Sequence, residues 1–174
     1  MQDHIVRAFE SALPDHTVFW GAAIEPKYWH DWSGLPSVQP RLLLRPRSTQ
    51  DIAIALQLCN RLGIALVPQG GLTGLAGGAH PVEGCVALST ERLNGVEEID
   101  TVMGTMTVLA GTPLAAIQAA AEEAGLYFPL DLGARGSCTI GGNIATNAGG
   151  NRVIRYGMAR DQVLGLEYVL PDGT

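Results

Sequence analysis

Residues Val67–Pro81 read VPQGGLTGLAGGAHP: an apolar run ends, and five glycines follow within nine residues. Glycine permits positive φ and lets a ligand approach the main chain with no Cβ in the way, at a cost in backbone entropy. Successive N–H groups in such a loop form a concave nest that suits phosphate oxygens. A second stretch, Pro129–Asn151, PLDLGARGSCTIGGNIATNAGGN, repeats the pattern. Of the 22 glycines, six lie between Gly70 and Gly84 and seven between Gly133 and Gly157. One such loop reads equally well as a flexible surface connection. Two of them, each following an ordered element and carrying Thr and Asn donors, point to an anion or dinucleotide site.

The flanking sequence places the first loop. RLLLRP, residues 41–46, reads as a short strand. In RSTQDIAIALQLCNRLG, Ser48 and Asp51 form a capping-box-like helix start. Ile52, Ala55, Leu56, Cys59 and Leu62 supply an apolar stripe, and Gly63 a stop. IALVP, ending at Pro68, reads as a buried strand, so strand, helix and strand imply a right-handed parallel crossover. After the loop the chain runs through Pro81 into a further strand, CVALST, and no helix opens there. No glycines satisfy GxGxxG, which together with the missing helix disfavours the Rossmann arrangement of phosphate at a helix N-terminus. GxxxxGK[ST], HExxH and GxSxG are absent as well.

Elsewhere, Ile5, Val6, Phe9 and Leu13 give the first dozen residues the pattern of a short amphipathic helix. Pro14–Pro40 is irregular, and its aromatic run FWGAAIEPKYWHDWSGLP reads as a long surface segment packed onto the core. GVEEID and TMTVLAG read as paired strands joined through Thr101–Gly104. Thr112 and Pro113 read as the N-cap and first turn of a helix with inner face Leu114, Ile117, Ala121 and Ala124, ending at Gly125. QVLGLEYVLPDGT reads as a last strand entering a turn, a signal that normally leads into another hairpin strand.

A net charge of −6 with Lys27 as the one lysine is a poor footprint for nucleic acid or an anionic membrane. An apolar fraction of 47% and a mean hydropathy of +0.16 fit a packed globular chain. The amino end has no basic n-region followed by an apolar stretch, and no run reaches membrane-spanning length, so the expected location is cytoplasmic. Cys59, Cys85 and Cys138 are odd in number and form no CxxC, which argues against a disulfide framework or a zinc site. Each reads as a small buried apolar residue, and no metal is expected.

VPQGGLTGLAGGA, with PLDLGARGSCTIGGNIATNAGGNRVIRYG about fifty residues later, resembles the FAD-binding domain of the vanillyl-alcohol oxidase / p-cresol methylhydroxylase (PCMH-type) superfamily. Within it the pattern is most similar to the FAD-linked D-2-hydroxyacid dehydrogenases of the D-2-hydroxyglutarate and D-lactate type, with glycolate oxidase flavin subunits as near relatives. The similarity runs from DWSG and RPRSTQDI to GLEYVLPDGT. It implies an α+β fold of two lobes with FAD extended between them. After an N-terminal helix and aromatic-rich segment, residues 1–36, come a small parallel α/β lobe, about 37–92, and a mixed-sheet lobe, about 93–174, incomplete at its C-terminus.

The resemblance also assigns the site. Pro68, Gln69, Gly70, Gly71, Leu72, Thr73 and Gly74 embrace the pyrophosphate. Pro129, Asp131, Leu132, Gly133, Ser137, Gly141, Gly142, Asn143, Ala145, Thr146 and Asn147 line the rest, and Ile140–Asn147 forms a helical turn whose N–H groups face the cofactor. Leu72 stands where close relatives often carry Asn and covalent flavoproteins His, so noncovalent FAD is implied. Thr139 replaces a His found in some hydroxyglutarate-type members.

The implied activity is oxidation of a D-2-hydroxy acid, of the 2-hydroxyglutarate, lactate or glycolate type, by hydride transfer to FAD, with base and substrate-binding arginines supplied largely by a downstream domain. No catalytic residue is assigned here. His4, His16, His30 and His80 share no spacing, and Arg135, Arg152, Arg155 and Tyr156 near the second loop read equally well as structural. The alternatives are an alcohol or aldehyde oxidase, or an electron-transferring flavin subunit, of the same fold, or a noncatalytic flavin-domain remnant. An uncovered sheet edge makes pairing with a second copy a further expectation.

Overall fold

The computed structural model describes residues 4–174; residues 1–3, where the predicted first helix begins, lie outside the described residues. The chain divides into two units, one running up to Arg92 and including Glu167–Thr174, the other Leu93–Leu166.

The first unit is built on a four-stranded sheet in which Val18–Trp20 (β1), Leu42–Leu44 (β2), Val86–Ser89 (β4) and Leu66–Gln69 (β3) stand in that order. β2 (Leu42–Leu44) and β4 (Val86–Ser89) are central and buried on both faces, which explains their unbroken apolar runs. Their pleat divides the core. Leu42, Leu44, Val86 and Leu88 face α1 (His4–Ala12) and α2 (Thr49–Leu62), while Leu43 and Ala87 meet Ile24, Tyr28, Phe19, Trp29 and Leu72. The aromatic-rich segment is thus the cover of the second face. It is less irregular than its sequence suggests, because Val18–Trp20 forms β1, antiparallel to β2. Three residues are too few for alternation to register; pairing with Leu42–Leu44 makes them a strand.

In α2 the Ser48 hydroxyl accepts from the Asp51 N–H at 3.1 Å, Asp51 in turn accepts from the Arg47 N–H at 2.8 Å, and Gly63 closes the helix at φ +64°. The buried stripe runs through Ala55, Leu58 and Cys59, with Ile52 and Ile54 beside it. Leu62, expected inside, is 37% exposed. Two apolar registers were available to this helix, and the sheet beneath selects one. β3 (Leu66–Gln69) is half-exposed rather than buried because it is an edge strand, where Pro68 and its missing N–H are tolerated. All three strands β2, β3 and β4 are parallel, and the return from β3 to β4 is made by Gly70–Cys85, with no helix in the crossover.

In the second unit, β5 (Val96–Asp100) and β6 (Thr105–Val108) form an antiparallel hairpin with an irregularity between Val96 and Glu98. α3 (Leu114–Glu123), α4 (Ile140–Thr146) and the single turn α5 (Val153–Tyr156) follow. Leu114, Leu130, Cys138 and Ala159 form the core, flanked by Phe128, Leu132, Ala134 and Ala148. Thr112 does not cap α3. Its hydroxyl accepts from the Gly95 N–H at 2.9 Å and donates to Leu109 O at 2.6 Å, fastening the hairpin. The first amides of α3 are met instead from the second glycine-rich segment, Leu114 N–H by Cys138 O at 3.1 Å and Ala115 N–H by Arg135 O at 2.8 Å.

The expected last strand is absent. Residues 163–170 form no strand and bend at Leu164, and Leu164, Leu166 and Tyr168 are exposed. A strand exists only against a partner, and none of the described strands lies beside it. The turn itself is present: Gly173 N–H donates to Leu170 O at 2.8 Å.

Candidate functional site

Gln69, the last residue of β3, is 1% exposed. Its side-chain amide donates to Tyr28 O at 3.0 Å and to Ala79 O at 3.1 Å, so it ties together the two ends of the loop it precedes. Leu72 sits at φ +58°, a region costly for a branched side chain, and its side chain packs against the Ile24–Tyr28 cluster. Among the described residues, no main-chain N–H from Gly70 to Gly78 has a protein acceptor. These amides lie on an exposed to half-exposed loop and are open to an external acceptor, water or a ligand. A Cβ added at Gly74 or Gly78 would meet nothing within 4 Å. An open run of donors bordered by free space fits the phosphates of a dinucleotide. Thr73 is half-buried on this loop, and Pro68 is exposed beside it.

The second segment is organised differently. Ile140 N–H donates to Thr112 O at 3.0 Å and Gly141 N–H to Ala110 O at 2.8 Å, so most of the first turn of α4 is used within the unit. Among the described residues, Gly142 N–H alone in that turn has no protein acceptor. Above it, a Cβ would meet only the Thr139 hydroxyl oxygen at 3.5 Å, itself buried and without a partner. Gly141 has a packing reason: its Cβ would lie 2.9 Å from Ala110 O. Asp131 is held by two arginines, Arg135 at 3.4 Å and Arg152 at 3.5 Å, and its carbonyl accepts from Asn151 N–H at 3.0 Å. Leu132 is half-buried against the core, Pro129 is half-buried, and Gly133 and Ser137 are exposed.

Asn143 is buried, donating to Cys138 Sγ at 3.6 Å; Ala145 is exposed, and Thr146 donates back to Gly142 O at 2.9 Å. Asn147, at φ +52°, closes α4 and accepts from Arg160 N–H at 3.1 Å. Arg160, unmarked in the sequence, donates to Ile144 O at 3.0 Å and Ala145 O at 2.7 Å, completing the C-terminus of α4. No local pattern signals it, because its partners lie more than a dozen residues earlier.

A cavity of about 390 Å³ in the same unit is lined by Gln118, Tyr127, Phe128, Asp131, Arg135 and Arg152, among others, with the Arg152 guanidinium 5.2 Å from the Tyr127 ring centre. Among the described residues, no three His, Cys, Asp or Glu side chains gather where they would hold a metal ion.

The family model described as FAD binding domain matches residues 40–174. The chain belongs to this FAD-binding family. As a flavin domain it is 46% identical over 167 residues to the mitochondrial D-2-hydroxyglutarate dehydrogenase of Bos taurus, covering 96% of this chain and 30% of that protein. It is 43% identical over 173 residues to the D-2-hydroxyglutarate dehydrogenase of Xanthomonas citri pv. viticola, covering 99% of this chain and 37% of that one. The flavin domain thus spans about a third of the length of these relatives. Among solved structures, an alkyldihydroxyacetonephosphate synthase superposes with a TM-score of 0.82 at 19% identity, over 94% of this chain and 32% of that one. At that identity the likeness concerns the fold, and the α+β architecture of the flavin domain is that of this group.

Proposed function

We propose that this chain is the FAD-binding portion of a dehydrogenase that oxidises a D-2-hydroxy acid of the 2-hydroxyglutarate or lactate type. The observation that carries the reading is the run of unaccepted N–H groups from Gly70 to Gly78, in a chain 46% identical to a D-2-hydroxyglutarate dehydrogenase. FAD, when bound, supplies the hydride acceptor. The chain's own part is to bind and orient. Main-chain donors of Gly70, Gly71, Leu72, Thr73 and Gly74 hold the pyrophosphate, with the hydroxyl of Thr73 as an added donor. Leucine at position 72 has no nucleophilic atom, so FAD is held noncovalently. No side chain of this chain is assigned as a base; substrate-binding and proton-accepting groups are proposed to come from the part of the complete dehydrogenase that this chain does not span.

The test is FAD titration, followed by quenching of flavin fluorescence, on the chain and on Gly74→Val. Because a Cβ at Gly74 meets open space, the variant keeps its melting temperature but loses affinity by at least about tenfold. No saturable binding by the unsubstituted chain, or equal binding by the variant, would remove this reading of the loop.

A further inference from the structure

Asp31–Pro36, DWSGLP, is a segment for which flavin binding has so far given no use. The Asp31 side chain is fully buried, and that of His80 is 9% exposed. One Asp31 oxygen accepts from Ser33 N–H at 3.0 Å and from the Ser33 hydroxyl at 2.5 Å. His80 Nδ1 lies 3.7 Å from that same oxygen, and its Nε2 donates to Pro36 O at 3.1 Å. Among the described residues, neither His80 Nδ1 nor the second Asp31 oxygen has a hydrogen-bond partner. Burial works against the Asp31 charge, yet the Ser33 donors, the field of the Ala79 N–H and the His80 ring outweigh it and hold the carboxyl below its usual range. Gly77, at φ +77°, passes so near that a Cβ there would lie 3.2 Å from Leu35 Cδ1.

The glycine loop is therefore held from outside at three places. Its far limb rests on Ser33–Pro36 and is fixed by the His80 Nε2 bond to Pro36 O, with the Asp31 carboxylate, itself held by Ser33, beside the ring. Its two ends are joined by the Gln69 amide reaching Ala79 O, and its near limb is pinned by Leu72 among the aromatic residues. Apart from the turn closed by His80 N–H on Gly77 O at 3.2 Å, a loop whose own N–H groups make no internal bonds has little of its own to fix its shape, and a ligand that must order it loses affinity.

We propose that Asp31, Gln69 and His80 are positioning residues, a brace that holds Gly70–Gly78 in the shape that receives the flavin pyrophosphate; this rests on the flavin reading above. Gln69, implied by resemblance to embrace the cofactor, acts from behind the loop. If the unbraced loop is in shape a tenth of the time, apparent affinity falls about tenfold.

The experiment compares the full chain with Gln69→Ala, His80→Ala and His80→Gln by FAD titration and by amide NMR of the ligand-free protein. Gln69→Ala and His80→Ala raise the FAD dissociation constant at least about tenfold, and His80→Gln, able to donate to Pro36 O, recovers most of it. In the ligand-free variants the resonances of Gly70–Gly78 broaden while those of Val86–Ser89 stay as in the parent. Where His80→Ala does not fold, Gln69→Ala and His80→Gln decide. Affinity unchanged in the variants of a chain that binds FAD overturns the brace, as does broadening that spreads equally through Val86–Ser89. A parent chain that takes up no FAD defeats the flavin reading itself; an undisturbed loop in both alanine variants then overturns the brace independently.

Discussion

At Gly150 there is no room for a side chain. The residue sits at φ +113°, and a Cβ would lie 2.1 Å from Asp131 O. Gly150→Ala is expected to cost about 2–3 kcal/mol, read as a lowered urea midpoint with unchanged slope. Gly74 and Gly133, by contrast, face open space. The glycine clusters, plain in the sequence, thus conceal two kinds of residue, one required by packing and one bordered by open space. Glycine spacing cannot separate them, because the atoms that crowd Gly150 belong to a residue nineteen positions earlier. The cysteines were more legible. All three are free and buried, and burial, with Cys85 nearby, pushes the Cys59 thiol up to about 11. A thiol-specific disulfide reagent at neutral pH should leave the folded chain unmodified and titrate all three after denaturation; rapid labelling of the native protein would contradict this.

Among the elements, α4 is the least self-sufficient. Seven residues with two adjacent glycines do not hold a helix in isolation. It persists because Thr112 O and Ala110 O take its first amides and Arg160 takes its last carbonyls. Arg160→Ala is expected to destabilise the second unit by about 1–2 kcal/mol. Arg160→Lys should restore only part, since one ammonium does not reproduce a fork that reaches two carbonyls. Chemical denaturation followed by circular dichroism checks both, and equal stability of all three proteins would show the clamp to be idle. α2 presents the opposite case. Ser48, Asp51 and Gly63 announce both of its ends within the chain's own neighbourhood, and both were readable in advance. β1 and the unpaired Val163–Leu170 were misread for one reason: a strand is a property of two segments, and only one of them is local.

Across the first unit, charge ties distant parts of the chain together. Glu91 accepts from the Tyr28 hydroxyl at 2.7 Å and pairs with Arg45 and, at 3.5 Å, Lys27. Burial disfavours its charge, but the Tyr28 hydrogen bond, then Arg45 and Lys27, hold its carboxyl below the ordinary value of 4.5. A depressed carboxyl binds its proton less readily when folded than when unfolded. Its stabilisation is therefore complete above about pH 4.5 and lost as the pH falls further, and Asp31 acts in the same direction. Melting temperature followed from about pH 7 to about pH 3 should drop on the acid side, and Glu91→Gln should lower the neutral value and flatten that limb. An acid limb of unchanged steepness in the variant would remove Glu91 from the account.

The sequence by itself determined the order of helices and strands around the first loop, the caps of α2, the two glycine-rich segments and the FAD-binding family. These are carried by short spacings and by a long specific motif, and so are written locally. Only the tertiary structure decided that β4 enters between β2 and β3, that Leu58 rather than Leu62 faces the core, and that Gln69 turns inward to close the loop. The same holds for the open N–H groups of Gly70–Gly78 and the Asp31–His80 pair behind them. Each depends on which distant groups burial brings into contact, and a hydrogen-bond donor is free or taken only when every neighbour is in place.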